Sequence, residues 1–185
     1  MIKIIDAIKD IMDYTIKRVF LIVYPPYGEE ELSQVDIRIG LITDKNLNSL
    51  YTLGTNMEDL WSPIISKEQI PTTFFNELEF KKRTNKWMSE ELNDDIVLEY
   101  YDFTKSVYFK DIVGQKVSEI KLLNIKNNPE PFGVKIIFEN DFILSFPSFD
   151  GNTIETKTFN KNDNIKNFNY LGNVIYSTIG SAGAS

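Results

Sequence analysis

The chain of 185 residues has no cysteine and no histidine. Without cysteine there can be no disulfide, thiol nucleophile or thiolate-bound zinc or iron–sulfur centre. That suits a cytoplasmic protein. Without histidine the commonest general base is gone, together with the Ser-His and Cys-His nucleophile systems and the usual zinc and copper ligands. Any chemistry must run on carboxylates, Lys, Tyr, Ser or Thr, or on an oxygen-bound metal.

Glycine-rich phosphate loops and a Gly-x-Ser-x-Gly elbow are also absent. No apolar run approaches the length of a membrane span. The first residues, MIKIIDAIKDIMDYTIKRVF, carry Asp6, Lys9, Asp10 and Asp13 where a signal peptide would need an unbroken apolar core. The expectation is therefore no membrane partner.

Positive charge is in short supply. Against 20 Lys and Arg stand 27 Asp and Glu, a net charge of −7. Such a surface repels a phosphate backbone and raises the encounter rate with basic proteins. The expectation is a basic protein partner and no nucleic acid.

What is present is core material: 13 Phe, 9 Tyr and 2 Trp in a chain that is 42% hydrophobic. The length suits one domain, residues 1–179, with GSAGAS (180–185) as a flexible tail or an appended scar.

Residues 2–17 read as an amphipathic helix. Ile4, Ile8, Ile11 and Thr15 follow the helical period, and Ile5, Met12 and Ile16 widen the stripe. Arg18–Tyr24 (RVFLIVY) reads as a buried strand ended by PPYGEEE. Val35–Thr43 alternates, with Val35, Ile37, Ile39 and Leu41 on one face. Ser49–Thr55 could be a third strand.

The middle is helical in tone. Asn56 can cap a turn at MEDLW, and Ser62-Pro63 restarts a helix that Pro71 stops. Thr72–Leu92 holds one or two helices, with RTN as a possible break. Asp94–Phe103 tilts to strand.

From Lys116 onward the chain is β-like. Around Asn140-Asp141 two hairpin registers compete. A two-residue loop places Lys135 and Glu139 with Phe142, Leu144 and Phe146. A three-residue loop (Glu139, Asn140, Asp141) places Val134, Ile136 and Phe138 with those residues instead. The second makes one apolar face, so it is expected. The next turn adds Ile154, Thr156 and Thr158 to that face and leaves Lys135, Ser145, Glu155 and Lys157 solvated. NYLGNVIYSTI supplies a last strand. The expected fold is α+β: an N-terminal helix, a mostly antiparallel sheet with a C-terminal meander, and a helical middle segment.

The nearest approach to a catalytic pattern is Asp…Glu-x-Lys. Asp141, Glu155 and Lys157 could place two carboxylates and a lysine on neighbouring strands, as in a Mg²⁺-dependent nuclease or hydrolase. The same tripeptide occurs at Glu79–Lys81 and Glu119–Lys121, so chance accounts for it readily. NKNDN (160–164) lacks the glycine and terminal glutamate of a calcium loop. No feature selects a carboxylate pair for glycoside hydrolysis. The reading is of no enzyme and no cofactor.

Two patches combine aromatics with carboxylates. One is the loop YPPYGEEELSQVD, with Tyr24, Tyr27, Glu29, Glu30, Glu31 and Asp36. The other is WMSEELNDDIVLEYYDF, with Trp87, Glu90, Glu91, Asp94, Asp95, Glu99, Tyr100, Tyr101 and Asp102. Aromatic anchors inside a carboxylate rim suit capture of a basic protein. The competing reading is a solvated loop for the first patch and core aromatics at a helix end for the second.

In size, charge and lack of catalytic residue types the chain resembles the small acidic immunity proteins that bacteria carry beside polymorphic or contact-dependent toxins. That resemblance implies one-to-one occlusion of a basic toxin domain, with carboxylates standing in for the phosphates of its substrate. A regulatory or structural interaction subunit is the third class.

Overall fold

The computed structural model describes residues 8, 10–24, 35–56, 62–89, 97–148 and 151–179. These form eleven strands in two sheets.

The first sheet has six strands. β1 (Ile16–Tyr24), β2 (Asp36–Thr43), β3 (Asn46–Thr55) and β4 (Pro63–Gln69) form an antiparallel meander. β6 (Glu99–Asp102) joins β1 antiparallel, and the two-residue β5 (Phe75–Asn76) lies parallel to β6. The second sheet is a meander of β7 (Glu119–Ile125), β8 (Pro131–Ile137), β9 (Phe142–Pro147) and β10 (Asn152–Glu155), with β11 (Val174–Thr178) returning to the free side of β7.

The inner faces follow from alternation. Val19, Leu21, Val23, Ile37, Ile39, Leu41, Tyr51 and Leu53 of the first sheet meet Ile120, Leu122, Val134, Ile136, Ile143 and Ile154 of the second in one core. Each such buried aliphatic contributes about 1.5–3 kcal/mol relative to exposure. A polar staple crosses the layers. Asn152, fully buried, donates from Nδ2 to the Ile37 carbonyl at 2.7 Å and accepts from Ser145 Oγ at 3.0 Å. Its N–H donates to Asp36 Oδ1 at 3.0 Å.

One helix, α1 (Glu77–Met88), closes an end of the sandwich. Asn76 caps it, accepting from the N–H groups of Leu78 and Glu79. Phe80 and Trp87, seven residues apart on one face, enter the core beside Tyr101 and Phe103. A 3-10 helix (Asn164–Tyr170) lays Phe168 against Phe132 and Phe146 on the outer face of the second sheet.

Five expectations need correction. The fold is mostly β rather than α+β. Instead of continuing the expected helix from residue 2 to 17, residues 10–13 form a turn, Thr15 bridges Lys116, and Ile16 starts β1. Asp13 sits at a left-handed φ of 68°, and the Ile16 N–H donates to Gln115 O at 2.9 Å. Pairing with a distant segment outweighs the local period.

The helix expected from Ser62-Pro63 is β4. It is an edge strand, and proline is tolerated at its first residue. RTN does not break α1.

Finally, the β8–β9 register differs by one residue. Ile137 pairs with Phe142 and Lys135 with Leu144, across a turn closed by the Phe138 N–H on Asp141 O at 2.9 Å. Ile143 and Ser145 therefore face the core, and Lys135 shares the outer face with Phe142 and Leu144. β9 is buried on both faces, because Leu144 and Phe146 pack in the cluster that holds Phe168. The rule of one apolar face did not apply to it.

Candidate functional site

Of Asp141, Glu155 and Lys157, the structure joins Asp141 to the backbone of Lys157, while Glu155 bonds to Asn164 instead. Asp141 is 4% exposed, and its Oδ1 accepts the N–H groups of Phe142 at 2.7 Å and Lys157 at 3.0 Å. Lys157 Nζ donates to the Asn140 carbonyl. Glu155, expected at the solvent, is 5% exposed; its Oε1 accepts the Asn164 N–H at 2.9 Å, anchoring the start of the 3-10 helix. Burial pushes its carboxyl above the usual carboxylate range, an effect the Asn164 N–H partly offsets and the Asp163 charge adds to. Among the described residues no group of three acidic side chains is arranged to hold a metal.

The second acidic-aromatic patch divides. Trp87 is 2% exposed and Tyr101 fully buried, so both expected anchors belong to the core. Glu99 is half-buried and held by Arg83 through its two oxygens and by the Tyr101 hydroxyl. Burial first, and the Glu99 carboxylate second, push the Tyr101 hydroxyl far up. Asp102 accepts from Arg18 Nη2 at 2.7 Å. Burial works to raise the Asp102 carboxyl, but hydrogen bonds from Thr104 and Arg18 prevail and hold it below its ordinary value. Tyr100 packs at the edge of a separate cluster, Phe20, Ile22, Ile42 and Leu50, on the outer face of the first sheet. Glu90, Glu91, Asp94 and Asp95 lie outside the described residues, as do Tyr27, Glu29, Glu30 and Glu31 of the first patch. At the borders of that loop Tyr24 is exposed, while Asp36 is tied to Asn152.

What the sequence reading missed is a cleft of about 890 Å³ where α1 begins. Its walls are Arg18 and Asp102 from β1 and β6, Phe74 and Phe75 before the helix, the first turns of α1, and Thr104–Ser106. Phe74 is exposed, and Leu78 is 74% exposed. Arg18 stacks over both Phe20 and Phe74 at 4.7 and 5.3 Å from the ring centroids. Glu77 holds Lys81 at 2.7 Å across one helical turn. Glu79 has no ion-pair partner among the described residues. The signal for this surface was available. Once Phe80 and Trp87 define the buried face of a helix, residue 78 falls on the opposite side.

No protein-family model matches the chain, and no match is found among curated proteins or solved structures. No helix among the described residues is long and apolar enough to cross a membrane.

Proposed function

We propose that the chain is an acidic protein-binding module with a basic partner, and that within this class it acts as an immunity protein occluding a toxin domain. The observation that carries the reading is the cleft at the start of α1. There two exposed apolar side chains, Phe74 and Leu78, stand within a rim where Glu77 pairs with Lys81 and Asp102 with Arg18, and where Glu79 and Lys105 also lie. An apolar centre within a charged rim is the anatomy of a protein interface. The net charge of −7 adds long-range attraction for a cationic surface. The rival reading, a metal-dependent nuclease, is disfavoured because Asp141 Oδ1 and Glu155 Oε1 accept backbone N–H groups and, among the described residues, no three acidic side chains are grouped to hold a metal.

The test is affinity capture with the tagged chain, followed by association kinetics with the captured partner. The partner is expected to be basic and to bind one to one. Glu79→Lys should slow association and flatten its salt dependence, and Leu78→Ala should speed dissociation. A triple reversal of Glu91, Asp94 and Asp95 to Lys tests the acidic run after α1 in the same assay. A neutral or acidic partner, or salt dependence unchanged in every variant, overturns the reading. An immunity role further requires that the captured protein be toxic and silenced by binding; a non-toxic partner would make the chain a regulatory or structural subunit.

A further inference from the structure

The sheets end on four edge strands, and three are guarded. β4 carries Pro63, Lys67 and Glu68; β5 is two residues long; and Asn160 Nδ2 covers β10 by donating to the Ile154 carbonyl at 3.1 Å. Charge, proline, brevity and cover are the usual means of blocking edge-to-edge pairing. β11 has none of them. Its sequence VIYST has no charge and no proline, and no described strand pairs with its outer edge.

The backbone groups on that edge can be identified. The Asn173 carbonyl accepts from Lys126 N–H at 2.8 Å, and Ile179 N–H donates to Ile120 O at 3.1 Å. Alternation then turns residues 173, 175, 177 and 179 toward β7, and Val174, Tyr176 and Thr178 outward. Ile175 and Tyr176 are both more than two-fifths exposed, and the exposed Tyr170 and Leu171 lie just before the strand.

Charge selects the occupant. From residue 167 to residue 185 there is no charged side chain, although the chain as a whole carries −7. Two acidic copies repel one another, and this strand adds no charge of its own to that repulsion. A cationic partner would find nothing to pair with on this strand. On the same face the Lys135 ammonium lies 5.5 Å from the Tyr176 ring centroid and disfavours a cation there, while Lys121 and Glu119 pair at 3.2 Å.

We propose that β11 pairs antiparallel with β11 of a second copy about a two-fold axis at Tyr176, joining the two five-stranded sheets into one. Tyr176 exchanges both backbone hydrogen bonds with its counterpart, and Val174 does so with Thr178 of the other copy. The contact is small for a permanent interface, so the dimer forms in a concentration-dependent way.

Sedimentation equilibrium from low micromolar to near-millimolar protein tests this directly. The expected result is a mass rising from monomer to dimer and no further. Tyr176→Lys keeps the backbone donors but sets two ammonium groups opposite each other, and should hold the chain monomeric. Tyr176→Pro removes an outward N–H while sparing those that bond β7, and should do the same. If the proline variant misfolds, the lysine variant decides, its fold checked by circular dichroism and its melting temperature. A wild type monomeric at the highest concentration, a dimer that persists in Tyr176→Lys, or assembly beyond the dimer overturns the proposal.

Discussion

The side chain of Asp141 accepts the backbone N–H of Lys157 at 3.0 Å, binding the turn after β8 to the chain leaving β10. Residues that read as a metal-and-lysine constellation thus meet through the backbone of one and the carboxylate of the other. The carboxylate does the work of a turn cap, and its substitution should register as lost stability.

Asp141→Ala should lower the unfolding free energy by about 1–3 kcal/mol, since two N–H groups lose their acceptor. Asp141→Asn keeps the Oδ1 acceptor and should cost less. Urea denaturation of the two variants separates them. Millimolar Mg²⁺ should leave the wild-type midpoint unchanged, and a metal-dependent rise abolished in both variants would restore the nuclease reading.

Asn152→Ala should be the more damaging change. It strands the Ile37 carbonyl and removes the bond to Ser145 in a fully buried setting. A loss of about 2–4 kcal/mol is expected. Ser145→Ala removes one of those bonds only, and a denaturant midpoint as low as that of Asn152→Ala would contradict the staple.

The register of β9 can be tested by size of effect. Phe146 is buried against Phe168, so Phe146→Ala should cost about 3–5 kcal/mol. Phe142 is half-buried, with Lys135 Nζ 4.1 Å above its ring, and Phe142→Ala should cost less. Equal losses would favour the register in which Phe138 and Phe142 oppose each other.

Glu155 predicts a pH dependence. Burial raises its folded pKa above the ordinary value of 4.5, so the protonated form is favoured in the folded state. Its contribution is fully present below the unfolded pKa and is lost as pH rises through the folded one. Glu155→Gln retains an oxygen acceptor for the Asn164 N–H and cannot ionise. It should be more stable than wild type at neutral pH, with the gap closing as pH falls below 4.5. Melting temperatures at pH 4 and pH 7.5 measure the difference, and a gap that widens in acid would refute the sign.

The sequence by itself determined the chemistry this protein cannot use and the strands whose apolar pattern is strict. No histidine and no cysteine is a fact of composition; β1 is legible because RVFLIVY is a short apolar run rich in β-branched and aromatic residues, and β2 because Ile37, Ile39 and Leu41 occupy one face. The tertiary structure decided the rest wherever a segment has two plausible partners. Ile8, Ile11 and Ile16 satisfy a helical stripe, yet the Gln115 and Val117 backbone draws the end of that segment into turn and strand. Pro63 and the residues after it become an edge strand because β3 offers them a ladder. β9 carries apolar residues on both faces, so only the packing of Phe168 and the turn at Asp141 fix which face is inner. Trp87 and Tyr101 illustrate the same limit at the candidate site. A sequence shows that aromatics stand beside carboxylates, but whether they anchor a partner or a core depends on what packs against them, and that is decided by contacts far apart in the chain.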